Sequence, residues 1–207
     1  MSSSFERWAV PGLLLVENIA YVSGWTEGDA TETRLGSPDV RATVPSITAH
    51  GVYHRRQVGD ALPTIGVWNP TTKELREVQT DPPPAAVSVV RATDRRLWWV
   101  SKAVAGQWVL HTAPLGGAEP LPATELGPLR PGLADNYGAD DFFAYHDSFA
   151  QEIVVVRADG TEISVPIPPE AGTGLRHLSF AGDDGEVSSS IWFDTGPGMF
   201  RLQVPPP

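Results

Sequence analysis

Glycine or proline interrupts nearly every stretch of this chain long enough to make three turns of helix, and that property alone removes most helical folds from consideration. The 20 glycines and 20 prolines in 207 residues amount to roughly 19% of the sequence, against about 12% in an average protein. What lies between the interruptions is strand-like. The segments LLLV (13–16), IAYVSGW (19–25), TIGVWN (64–69), AAVSVVRA (85–92), RLWWVS (96–101), QWVLHT (107–112), DFFAYH (141–146), EIVVVRA (152–158), SSIWFD (189–194) and MFRLQV (199–204) are short, rich in β-branched and aromatic residues, and bounded by turn formers. With 41% hydrophobic residues and seven tryptophans, the chain has the apolar surface needed to offset the entropy of ordering. The sequence predicts an all-β protein.

Hairpin chemistry joins several of these segments. In VRADGTEI (156–163), Asp159-Gly160 fits a type I′ turn, and similar punctuation recurs at NPTTKE (69–74), LGGAE (115–119), TGPG (195–198) and, more weakly, TEGDA (26–30). Taking Gly28, Thr71, Gly116, Asp159 and Gly196 as turn centres gives intervals of 43, 45, 43 and 37 residues. A period near 40 to 50 residues with four short strands per unit is the mark of a β-propeller blade. The expected architecture is a single propeller domain over residues 1–207 with units at 11–45, 46–84, 85–126, 127–170 and 171–204. In the third unit the segment AEPLPA (118–123) supplies the fourth strand. The last unit is one strand short, and FERWAV (5–10) is expected to complete it, closing the ring and removing both exposed edges. A closed β-barrel or a β-sandwich has the same strand count and stands as the alternative.

The period and hairpin phasing resemble five-bladed β-propellers, a group that includes tachylectin-like lectins and furanosidase-type glycoside hydrolases. The resemblance covers nearly the whole chain and rests on no diagnostic string, because no WD dipeptide, kelch double glycine or sialidase-type Asp-box recurs. It implies an axial tunnel lined by the innermost strand of each unit. Glycoside hydrolysis needs two carboxylates about 5 to 10 Å apart. The inner strands LLLV, SITAH (46–50), AAVSVV and LRHLSF carry none within them, which leaves only Glu17 and Asp135 at strand ends. The lectins repeat one binding motif in every blade, and no such repeat is visible here. The sequence therefore departs from both patterns.

Charge and missing motifs narrow the function classes. Fifteen Lys and Arg against 25 Asp and Glu leave a net charge of −10, so a phosphate backbone finds no attractive field and nucleic acid is not an expected partner. The absence of cysteine excludes disulfides, thiolate metal sites and cysteine nucleophiles. The amino terminus has no basic region, carries Glu6 and Glu17, and has only a short apolar run broken by Pro11 and Gly12, so neither a signal peptide nor a membrane span is expected. A cytoplasmic protein follows as the default, with a component of a viral or secreted particle sharing the same features. There is no phosphate-binding loop, dinucleotide glycine fingerprint or Gly-x-Ser-x-Gly elbow, which weighs against kinases, dehydrogenases and α/β-hydrolases.

The candidate site residues are His50, Arg91, Asp135, Asn136, Tyr137, Arg176 and His177, grouped because each sits at or near an inner strand. His50 and His54 are four apart, but along a strand that separates them by about 13 Å, so no metal is expected, and no cofactor either. The richest polar stretch, ADNYGADDFFAYHDS (134–148), begins an inner strand with Asp135, Asn136 and Tyr137; read blandly, it is a solvated acidic loop. Arg groups at 54–56 and 91–96 lie beside Tyr53, Trp98 and Trp99 and suit an anionic ligand, although such groups more often form internal ion pairs. Trp98 and Trp99 point to opposite faces of a strand and are expected in the core more than at a stacking platform. The expected function is a non-catalytic module that binds a protein or small molecule through its axial face or loops. The alternative is a small lyase, cyclase or hydrolase in which His50 or His177 is the general base, Asp135 orients it, and Arg91 or Arg176 stabilises negative charge.

Overall fold

The structure, a computed structural model, describes residues 7–10, 13–17, 22–28, 33–35, 43–103, 106–168, 177–180, 190–194 and 199–204. Among the described residues there are strands and no helix, and so no helix long and apolar enough to cross a membrane. The all-β expectation holds. The chain divides into two compact units, Met1–Glu125 and Leu126–Pro207.

In the first unit, β1 (Arg7–Val10), β2 (Leu13–Glu17), β3 (Val22–Thr26) and β4 (Thr33–Arg34) form a four-stranded sheet in sequence order. A second sheet contains β5 (Thr43–Thr48), β6 (Gly51–Arg56), β7 (Thr64–Trp68) and β8 (Leu75–Glu77). After β9 (Thr80–Asp81), a third sheet is built from β10 (Val87–Ala92), β11 (Arg96–Lys102), β12 (Trp108–Pro114) and β14 (Thr124–Pro128). Between β12 and β14, β13 (Leu121–Pro122) pairs in parallel with β9. The second unit holds β15 (Leu133–Gly138), β16 (Phe142–Asp147), β17 (Glu152–Arg157) and β18 (Glu162–Pro166) in one sheet. Its other sheet is β19 (His177–Phe180), β20 (Ser190–Asp194) and β21 (Met199–Gln203). Among the described residues, four sheets thus have four strands, one has three, and β9 with β13 forms a two-stranded parallel sheet.

Three expectations need correction. Residues 5–10 are expected from sequence to lack a partner in the first unit and to join the last, yet β1 pairs with β2 from Arg7↔Val16 to Val10↔Leu13. The two-residue link Pro11-Gly12 explains it, because a tight connection between two apolar runs makes adjacent pairing the low-entropy choice. LLLV is consequently the second strand of its sheet, not the innermost. The fourth strand of the third sheet is β14, not AEPLPA, whose Leu121 and Pro122 instead face Thr80 and Asp81 in parallel. At Asp159-Gly160 only the glycine has positive φ, +87°. Gly160 N donates to Arg157 O at 2.9 Å and Thr161 N to the Asp159 carboxylate at 2.8 Å, so the turn is type I followed by a left-handed glycine, where type I′ would need positive φ at both residues.

Strand alternation assigns the core. Tyr53, Ile65 and Val67 on one face of the second sheet pack with Val87, Val90, Leu97, Trp99 and Ala113 from β10 to β12. The opposite face of the second sheet buries Val52 and Trp68 against Leu35. In the second unit Phe142, Ala144, Ile153 and Val155 share one face of β16 and β17 and pack with Val204, which follows β21. Each such fully buried large side chain contributes about 1.5 to 3 kcal/mol.

The second sheet also buries a histidine. His54 is fully enclosed opposite Gly66, its Nδ1 lies 3.4 Å from Val52 O, and its Nε2 has no hydrogen-bond partner among the described residues. Gly66 is the space that the imidazole fills: a Cβ there would sit 2.5 Å from Nε2 and 3.1 Å from Arg56 Cβ. Gly66→Ala is expected to destabilise the protein by about 1 to 3 kcal/mol through overpacking. Because His54→Ala opens the volume that the added methyl group needs, the double variant should be less destabilised than the sum of the singles in a urea-denaturation cycle; strict additivity would contradict this packing.

Candidate functional site

On one face of the third sheet, polar groups converge beside an open cleft. Register pairs Trp99 with His111 and Ser101 with Val109, so all four side chains share one face of β11 and β12. The face is the same one that packs on the second sheet through Leu97 and Trp99, and beyond that packing it opens into a cleft of about 300 Å³. Pro82, Pro83, Pro84 and Ala85 form one wall; Trp99, Ser101, Val109 and His111 form the floor, with Lys102, Ala103 and Glu125 around them. The proline wall is held at both ends. Before it, Leu121 N donates to Gln79 O and Ala123 N to Asp81 O, at 2.8 and 2.9 Å; after it, Val87 N donates to Pro63 O at 2.9 Å. Three consecutive fixed φ angles make the intervening wall stiff.

Within the cleft, Ser101 Oγ and His111 Nε2 are 2.8 Å apart. The imidazole stacks on Trp99 with centroids 5.2 Å apart and planes 7° from parallel, which fixes the ring's orientation. Trp99 is 1% exposed and Ser101 6%, yet among the described residues the indole Nε1 has no hydrogen-bond partner. Burial pushes the His111 pKa down, and the Glu125 carboxylate opposes that shift. The ring is therefore neutral at pH 7, and with its proton on Nδ1 it accepts from the Ser101 hydroxyl. Lys102 is exposed, its ammonium 5.9 Å from the centre of the Trp108 ring.

The residues expected from sequence lie elsewhere. His50 occupies the exposed tip of the β5–β6 hairpin, where its Nε2 is 2.9 Å from Asp94 O and Ala49 N donates to the Asp94 carboxylate at 2.6 Å. It fastens two hairpin tips of the first unit together. Arg91 is half-buried on β10 opposite Trp98, on the other face from the cleft, and donates to Val90 O at 3.0 Å. Asp135, Asn136 and Tyr137 are half-buried on β15 in the second unit, and the Asp135 carboxylate accepts from Asn136 N at 2.9 Å. His177 begins β19, which lies beside β15, so those two expected inner strands are brought together. Beside them, His146 on β16 is buried, with Nε2 lacking a hydrogen-bond partner among the described residues; burial lowers its pKa against the opposing charges of Asp147 and Asp135. Arg176 lies outside the described residues. Among the described residues no three His, Asp or Glu come together as metal ligands.

Trp98 and Trp99 are both buried in the core, as the sequence leads one to expect; that Trp99 also floors a cleft is not apparent from it, nor are the places of Ser101, His111 and Glu125. The signal available is register. In RLWWVSKAVAGQWVLHT a hairpin centred on the 103–107 link sets Trp99 against His111, but strand length alone does not locate that centre.

No protein-family model matches the chain, and no curated protein matches it. Solved structures do. A streptogramin B lyase aligns over 99% of this chain and 74% of its own at 13% identity, with a TM-score of 0.58. A catalytically inactive virginiamycin B lyase from Staphylococcus aureus with quinupristin aligns over 99% and 70% at 16% identity, again at 0.58. The fold is propeller-like. A puromycin-hydrolyzing peptidase from Mycobacterium tuberculosis gives the same TM-score, 0.58, at 11% identity over 98% of this chain and 37% of that one. At such identities the likeness concerns the fold alone, since unrelated activities share this architecture.

Proposed function

We propose that the chain is a propeller-type binding module, a single domain whose five successive sheets are its blades, and that a small, largely neutral ligand enters the cleft between Pro82–Pro84 and His111. The observation that carries this reading is the indole N–H of Trp99, a buried donor in the cleft floor with no hydrogen-bond partner among the described residues. Leaving such a donor unsatisfied costs about 1 to 3 kcal/mol, so a carbonyl or hydroxyl oxygen that reaches it recovers that energy. Stiff proline and valine surfaces supply apolar contact, while Lys102 and Glu125 balance in charge, which favours a neutral ring bearing an acceptor over an anion.

The expected region around Asp135, Asn136, Tyr137 and His177 stands second, favoured by the unpartnered Nε2 of His146 near Asp135. A thermal-shift screen against sugars, nucleosides and cyclic amides separates the two. A ligand at about one hundred times its Kd stabilises by about 2.7 kcal/mol, a rise of roughly 5 to 10 °C for a chain of this length. Hits are expected to lose about tenfold or more in affinity in Trp99→Phe, which keeps a ring and removes the donor. Hits unaffected by Trp99→Phe but abolished by Asp135→Ala would overturn the cleft in favour of the second region.

A further inference from the structure

The binding reading uses the cleft's donor and its apolar walls but leaves its most reactive pair without a task. We infer that Ser101 is a nucleophile and His111 its general base, so that the cleft transfers the acyl group of a small ester. This chemistry goes beyond ligand capture and uses the Ser101–His111 pair, which the binding reading does not.

The 2.8 Å separation of Ser101 Oγ and His111 Nε2 is the contact that a nucleophile and its base require. Both side chains project from hydrogen-bonded strands inside a sheet, and the stack on Trp99 prevents the imidazole from turning away. Ser101 lies at the cleft floor, where a bound carbonyl would come to rest. Glu125 lines the same cleft, and its carboxylate favours the imidazolium that appears on proton transfer; the opposing effect of burial keeps the resting ring neutral and able to accept. Trp99 lies beside Ser101 in the cleft floor, its indole N–H buried there. Nucleophile, base, compensating charge and space are thus contributed by β11, β12, the start of β14 and the proline wall.

The steps balance. Ser101 Oγ forms a bond to the ester carbonyl carbon as its proton passes to His111 Nε2. The carbon–oxygen bond to the alcohol then breaks, and the departing alkoxide takes that proton. Water, deprotonated by the same nitrogen, attacks the acyl carbon; the carboxylic acid leaves and Ser101 regains its hydrogen. An ester suits this site better than an amide because its leaving group demands less of the acid.

The full chain is treated with a fluorophosphonate, which phosphonylates an activated serine with loss of fluoride, and separately with p-nitrophenyl acetate. The expected result is a phosphonyl mass increase on the tryptic peptide Leu97–Lys102, absent in Ser101→Ala, and slowed by about a hundredfold or more in His111→Gln. p-Nitrophenolate release should disappear in the same variants, with circular dichroism confirming that each is folded. A merely structural hydrogen bond predicts otherwise: no label on Ser101 in the folded chain, equal labelling in His111→Gln, or labelling of a different serine would each overturn the inference. Ligand-induced thermal shifts that persist in unlabelled protein would leave the binding reading standing, so the two fail separately.

Discussion

Gly51→Ala is expected to cost about 3 kcal/mol or more, lowering Tm by roughly 6 to 12 °C in a chain of this length. Two effects coincide at this residue. Its φ of +134° lies where an L side chain is strained, and a Cβ built on it would come 2.7 Å from the carbonyl oxygen of Trp68 and 3.0 Å from Val67 Cγ2. That oxygen belongs to the backbone of β7, which cannot step aside without loosening the Val52↔Trp68 and Tyr53↔Val67 pairs that hold the second sheet's two packing faces together. Gly160 separates the two effects: its φ of +87° imposes strain, but nothing lies within 4 Å of a Cβ there. Gly160→Ala should therefore cost only about 1 kcal/mol. Urea denaturation of both variants checks the ranking, and equal losses would show that conformation alone, not the approach of β7, requires Gly51.

The difference between these two glycines marks what sequence reveals here. Asp159-Gly160 announces a turn by composition, and the hairpin is where that pair places it. Gly51 is required by a strand seventeen residues on, through a contact that no local pattern encodes. The same division runs through the whole molecule. Strand identity and the roughly forty-residue repeat follow from alternation and punctuation, so β15 to β18 appear where the segments 134–138, 140–147, 152–158 and 161–167 put them. Pairing choices follow from connection entropy, and the Pro11-Gly12 link is readable as a hairpin once the appeal of closing a ring is set aside. The cleft is the least legible. Its proline wall is positioned by the parallel contact of Thr80 with Leu121, and its imidazole by a register that shifts with one residue of turn placement. His50 shows the converse error: a histidine at an inner-strand end has the right address for a ligand site, while its partner, Asp94, lies 44 residues away and makes it a fastener.

Acid should weaken the fold through His54 before most carboxylates titrate. Burial is the largest cause of its displaced equilibrium, which is lowered to about 4; the neighbouring Arg56 guanidinium acts in the same sense and the Val52 carbonyl against it. The unfolded chain holds the same ring near the ordinary 6.5. Above pH 6.5 both states are neutral and the folded state has its full stability. As the pH falls from about 6.5 towards 4 the unfolded chain takes up a proton that the folded chain refuses, so stability declines across that window by about 3 kcal/mol; below it both states are protonated and this source of loss ends. His146 and His111, also lowered by burial, add in the same direction. His54→Leu isolates the principal contribution, because leucine fills a similar volume, leaves no nitrogen unpartnered and cannot titrate. Unfolding free energies from urea curves at pH 7.5 and pH 5 should differ less in His54→Leu than in the parent protein. An undiminished pH dependence in the variant would mean that the imidazole is protonated within the fold, which its enclosure against Gly66 with Nε2 unpartnered does not allow.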